Sequence, residues 1–140
     1  MLAVLAVTLS APAALGSAKR SQYEGAFAVT GTMSFELKKS RNGKTVVKYT
    51  WEDFPLLCDS GPKTSSDFLA FGQKVRRGKF DAVAVDNQSN PGARLKLEGK
   101  LKGPRNAEGT LRIEGKRVPL DGGGKDRCDS GKVAWTAQKQ

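Results

Sequence analysis

The chain has 140 residues, with 24 Lys and Arg against 14 Asp and Glu, so its formal charge is +10, and it has no histidine. The missing imidazole excludes a Ser-His-Asp apparatus, and two cysteines without histidine fall short of the four ligands of a structural zinc site. The length suits one domain rather than two, and the excess positive charge points to anionic partners.

The first eighteen residues carry no charge: Leu2 to Leu9 is apolar apart from Thr8, and Pro12 is followed by small residues ending Gly16-Ser17-Ala18. This predicts a signal peptide at 1–18 cleaved before Lys19, with a cut before Ser17 as the alternative, although no Lys or Arg precedes the apolar run. A buried N-terminal strand or helix is the competing reading. The run is too short to span a bilayer. The expected product is a single β-domain at 19–140, secreted or held at the cell envelope, with no transmembrane segment.

From Tyr23 onward the hydrophobic period is two. Met33, Phe35 and Leu37 alternate with Ser34, Glu36 and Lys38, and Val47, Tyr49 and Trp51 alternate with Lys48, Thr50 and Glu52. Between them, Arg41-Asn42-Gly43-Lys44 predicts a hairpin with a type I′ turn, whose two central residues take positive φ. Further on, Leu95, Leu97 and Leu101 oppose Lys96, Glu98, Lys100 and Lys102, while Leu111 and Ile113 alternate with Thr110, Arg112 and Glu114. Gly99, Gly109 and Gly115 fall in the apolar register, which marks a bulge, a bend or a close backbone approach. Val133, Trp135 and Ala137 form the last strand. Strands near 23–29, 32–39, 45–54, 66–71, 79–86, 93–102, 108–115 and 132–138 predict an all-β fold. The expected form is an antiparallel β-sandwich or flattened closed barrel of about eight strands, with one disulfide.

The cysteines stand in a repeated tetrapeptide, Cys58-Asp59-Ser60-Gly61 and Cys128-Asp129-Ser130-Gly131. A Cys58–Cys128 bond would tie the end of the third strand to the start of the last and stabilise by about 4 kcal/mol in the chain-entropy model. A reactive or metal-binding pair would want Cys-x-x-Cys spacing or more ligands. Asp-Ser-Gly resembles the segment around the nucleophile of chymotrypsin-like proteases, but without histidine it reads as a turn in which Asp or Ser engages a backbone amide and Gly takes positive φ. A serine–lysine pairing among the many lysines is the remaining serine chemistry.

Glu52 and Asp53, as strand neighbours, are expected on opposite faces. Asp121, Asp126 and Asp129 are expected in a solvated loop near the disulfide, whose Gly-Gly-Gly lacks the alternating oxygens of a calcium loop. No catalytic residue, metal or cofactor is predicted, and a hydrolase using two carboxylates has no motif behind it. The basic residues gather at Lys74, Arg76, Arg77 and Lys79 and between Arg94 and Arg117, where eight cations meet three acids. Arg94, Lys96, Lys100, Lys102, Arg112 and Lys116 are the candidate anion-binding residues, expected on one sheet face. The absence of aromatics there argues against specific nucleic-acid binding, and a solubilising face that protects sheet edges is the plainer reading. Trp51, Trp135, Tyr49, Phe35 and Phe68 are expected inside, as core or as the wall of an apolar-ligand cavity. Asn87-Gln88-Ser89 matches the glycosylation sequon.

The closing pattern Cys128-Asp129-Ser130-Gly131-x-x-x-Trp135-x-Ala137, with Tyr23-x-Gly25, Gly78-x-Phe80 and Gly109-Thr110-Leu111, resembles a group of small uncharacterised secreted all-β proteins of high-GC Gram-positive bacteria. The resemblance spans most of residues 19–140 and implies an extracellular or envelope location. It carries no catalytic residue, ligand or partner protein, and it lowers the weight of the sequon. The expected function is a non-enzymatic secreted β-domain that binds anionic cell-envelope polymers through its basic face.

Overall fold

The computed structural model describes residues 19–86 and 92–140. The expected leader, the sequon and the turn around it lie outside these residues. Ten strands follow in chain order: β1 (Lys19–Phe27), β2 (Thr32–Ser40), β3 (Gly43–Cys58), β4 (Gly61–Lys74), β5 (Lys79–Asp86), β6 (Ala93–Lys102), β7 (Asn106–Glu114), β8 (Lys116–Pro119), β9 (Lys125–Asp129) and β10 (Gly131–Lys139). No helix among the described residues is long and apolar enough to cross a membrane. All pairings are antiparallel, in the order β5-β6-β7-β10-β1-β2-β3-β9-β8, with β4 on the free side of β3. The expected all-β class and disulfide are present, but the sheet is open rather than a closed barrel, because β5, β4 and the short β8 remain unjoined edges.

Closure is replaced by coiling. Phe80 of β5 and Phe35 of β2 lie far apart along the sheet, yet their rings are 5.4 Å from centre to centre. A row of cross-strand partners, Phe80–Gly99–Gly109–Trp135, allows it. A Cβ on Gly99 would fall 2.1 Å from Phe80 Cζ, and one on Gly109 would fall 2.0 Å from the Glu98 carbonyl oxygen and 2.4 Å from Trp135 Cζ2. The two bare positions let both rings lie against backbone. Of the alternatives expected at these glycines, Gly109 shows a close backbone approach and Gly99 a close approach of a ring, while Gly115 lies in the turn between β7 and β8. Tyr23 stacks on Phe35 at 4.6 Å, and Tyr49 and Trp135 complete the centre at 5.8 Å from each other. The rings fill the interior with one another. Two polar atoms are stranded by this packing: Tyr49 Oη and Trp135 Nε1 are buried without a hydrogen-bond partner.

Two register shifts and a displaced turn separate the structure from the expected alternation and hairpin. In β3 the pairing slips between Val46 and Lys48, so Val46 is buried and Val47 only half-buried. A second slip between Trp51 and Phe54, with Asp53 at φ 53°, leaves Glu52 and Asp53 both exposed instead of on opposite faces. In the β2–β3 hairpin Ser40 pairs with Gly43, so the turn centres on Arg41-Asn42, and only Gly43, at φ 109°, has positive φ. Asn42 does not take the expected type I′ conformation. Phe68 also departs from expectation. It is 56 % exposed on β4, beneath the ammonium of Lys48 at 4.8 Å from its ring centre.

The segment expected to be a solvated loop contains β9, paired with β8 and, at its end, with β3. Cys58 and Cys128 sit directly opposite each other there and form the disulfide. Cys128 therefore belongs to this short added strand and not to the start of the last one. Asp126, two residues earlier, is buried.

Candidate anion-binding face

Alternation in β6 sends Ala93, Leu97 and Gly99 inward and Arg94, Lys96, Lys100 and Lys102 outward, while β7 sends Arg112 to the same outer face. Five of the six candidate residues are thus brought together. Lys116 is not: it lies on β8, half-buried, and its ammonium donates to Ser65 Oγ at 3.0 Å, the same oxygen that accepts from Trp51 Nε1 at 3.4 Å. Its role is to tie β8 to β4.

Register arranges the outer face in rows. Lys96 faces Arg112, and Arg112 faces Lys132 on β10, giving three cations side by side on adjacent strands. One step along, Lys79 faces Lys100. Like charges directly opposite each other are destabilising in a sheet. Acids interleave with the rows: Lys96 holds Glu98 at 3.2 Å, Lys102 holds Glu108 at 2.8 Å, and Arg112 pairs with Glu114. The first and last run along one strand, Lys102–Glu108 crosses from β6 to β7, and all three are solvent-exposed, a setting in which an ion pair is worth about 0–1 kcal/mol. A polyanion can therefore compete for their cations at small cost. Lys132 stands in a strand distant in sequence, and only the β7–β10 pairing places it in the row.

An open cleft of about 550 Å³ runs over the Gly99–Gly109 position and is lined by Lys74, Arg76, Lys79 and Lys100 together with Asp81, Glu98 and Glu108. Asp81 and Glu98 are cross-strand partners in it, the nearest arrangement to the paired carboxylates of a hydrolase. Asp81 is exposed and the carboxylate of Glu98 is held by Lys96, so neither has the apolar surroundings that set a general acid apart from its partner.

The disulfide neighbourhood is built differently. Ser60 donates to Asp126 Oδ2 from both its amide, at 3.0 Å, and its hydroxyl, and Lys63 Nζ lies 4.0 Å from the same oxygen. The Ser60 hydroxyl bond, foremost, with the Ser60 amide and the Lys63 charge, holds the Asp126 carboxyl below its ordinary value of 3.8 against the opposing effect of burial. Ser60-Gly61-Pro62-Lys63 is the one Ser-x-x-Lys spacing in the chain. Here the hydroxyl is committed to a carboxylate, and the lysine that would have to act as its base is ion-paired. The turn reading holds in the first repeat, where Asp59-Ser60 turns between β3 and β4 and Gly61 has positive φ. In the second, Asp129 ends β9 and Gly131, also at positive φ, opens β10, while Asp129 Oδ1 accepts from the Gly115 amide at 2.7 Å and Ser130 Oγ from the Ile113 amide at 2.8 Å, both distant in sequence. Cys58, Cys128 and Asp126 do bring three ligand-type atoms within 4.8 Å. Both sulfurs are spent in the disulfide, however, and a metal requires thiolates.

No protein-family model matches the chain, and no curated protein or solved structure matches it either.

Proposed function

We propose that this chain is a non-enzymatic extracytoplasmic β-domain that binds anionic polymers of the cell envelope through the outer face of β5, β6, β7 and β10. The observation that carries the reading is the Lys96–Arg112–Lys132 row, where three cations are held on neighbouring strands despite their mutual repulsion. A disulfide persists in oxidising compartments outside the cytosol, in keeping with that location and with the resemblance to secreted proteins. The apolar-carrier alternative draws less support, since the aromatic side chains that would wall a cavity pack on each other.

Binding to purified anionic wall polymer is the test. At low salt the chain should be retained and should elute as salt rises, and joint Lys96→Gln, Arg112→Gln and Lys132→Gln substitution should weaken retention about tenfold or more. No retention at low salt, or equal retention of the triple variant, would remove the proposal.

A further inference from the structure

Most of the unbalanced charge lies away from that face, at one end of the sheet. The start of β1 and the β2–β3 hairpin tip supply Lys19, Arg20, Lys38, Lys39, Arg41 and Lys44. Lys19 faces Lys39 and Lys39 faces Lys44, so cations are opposed on three adjacent strands on one side of the sheet, while Arg20 faces Lys38 on the other side. The β4–β5 connection joins them through the Val75 amide, which donates to the Lys44 carbonyl at 2.9 Å, and it brings Lys74, Arg76, Arg77 and Lys79. Across residues 36–44 and 74–79 the sole acid is Glu36, and Arg20 holds it. The charge-compensated pattern of the face is absent here.

We propose that this basic end is a second anion site and that its ligand is a linear phosphate polymer, whose chain continues along the cleft past Lys79 and Lys100 onto the β6–β7 face. The continuation rests on the function proposed above; the end site does not. Strands lie about 4.7–4.9 Å apart, so the opposed cations match a chain bearing closely repeated charges better than isolated anions. Arg41 and Arg76 add planar guanidinium forks suited to phosphate oxygens. Nucleic acid is disfavoured because the exposed aromatic, Phe68, lies outside the end and the cleft, and unstacked bases need such platforms. A bilayer is disfavoured at this end because none of the exposed large apolar side chains of the described residues, Val29, Leu57, Phe68, Val83, Val85 and Leu120, lies there; Val83 and Val85 stand on β5 beside Lys96 and Arg94.

The experiment titrates the full chain with long-chain inorganic polyphosphate at low salt, followed by calorimetry, alongside tripolyphosphate and a thymidine oligonucleotide. Long-chain polyphosphate should bind about 100-fold or more tightly than tripolyphosphate, because one chain engages both regions. Joint Lys19→Gln, Lys39→Gln and Lys44→Gln substitution should cost about tenfold or more in that affinity, and Lys→Arg at the same three positions should retain it, which separates charge loss from misfolding. An end variant that binds like wild type overturns the proposal and leaves the face reading intact. Loss in the end variant with none in the Lys96/Arg112/Lys132 variant upholds the end site and sinks the face reading. Tighter binding of the oligonucleotide than of polyphosphate overturns the ligand class.

Discussion

Two buried polar groups divide this protein's residues into those that are satisfied and those that are not. The Tyr49 hydroxyl has no partner, and burial pushes its pKa well above the usual tyrosine value. An unsatisfied buried hydroxyl costs about 1–3 kcal/mol, so Tyr49→Phe should raise stability by about 1 kcal/mol. Urea denaturation of the two proteins measures this, and a variant less stable than wild type would show that the hydroxyl is engaged. Asp126 is the opposite case, a carboxylate whose folded pKa is depressed by its donors. Its contribution to stability is complete above the ordinary value of 3.8 and is lost as pH falls through the lowered folded value. Ser60→Ala removes the foremost cause, so the gap between wild type and variant should be present at neutral pH and close in strong acid. A gap independent of pH would contradict the assignment. Alternation placed Tyr49 inside but could not show that its hydroxyl lacks a partner, and the burial of Asp126 was not legible in the sequence. Ser60 and Asp126 stand 66 residues apart, and Asp126 sits beside three glycines, which advertise a loop and conceal a strand.

At the scale of elements, alternation located what is long and regular. β5 at 79–86 and β6 at 93–102 match the expected bounds, and the inward and outward sets of β2, β6, β7 and β10 follow their period. Irregularity in β3 was hidden because a bulge shifts the side-chain face without changing composition, which is why Val46 and not Val47 is buried. β8 and β9, of four and five residues, offered too few positions for a period to show. Of the bulge, bend or close backbone approach open at the glycines, Gly99 and Gly109 show close approach, to rings as well as backbone, and Gly115 falls in the turn after β7; the partner rings could not be named without the fold. Gly109→Ala should be costly, since its Cβ would meet a backbone oxygen at 2.0 Å and not a side chain free to turn. A loss of about 3 kcal/mol, the upper end of overpacking effects, is expected in chemical denaturation, and a melt indistinguishable from wild type would refute this account of the coiling.

At the scale of the molecule, the five candidate lysines and arginines of β6 and β7 were legible as a face, because alternation alone fixes which way they point. Lys132 and the Lys19–Lys39 pair were not, because their neighbours come from strands distant in sequence, whereas Lys39 and Lys44 flank the expected hairpin turn. The Cys58–Cys128 bond joins residues 70 apart, and its reduction should lower stability by about 4 kcal/mol. Thermal melts with and without reductant test this, and an unchanged Tm would contradict it. The bond also has a topological consequence. It closes a covalent ring that contains β4 to β8 whole, including the exposed Arg76-Arg77 turn, where an enzyme cutting after basic residues would strike. A single cut at that turn leaves the pieces before and after it still joined, so a clipped molecule keeps its mass and sheds no part of its basic surface until a reductant opens the ring.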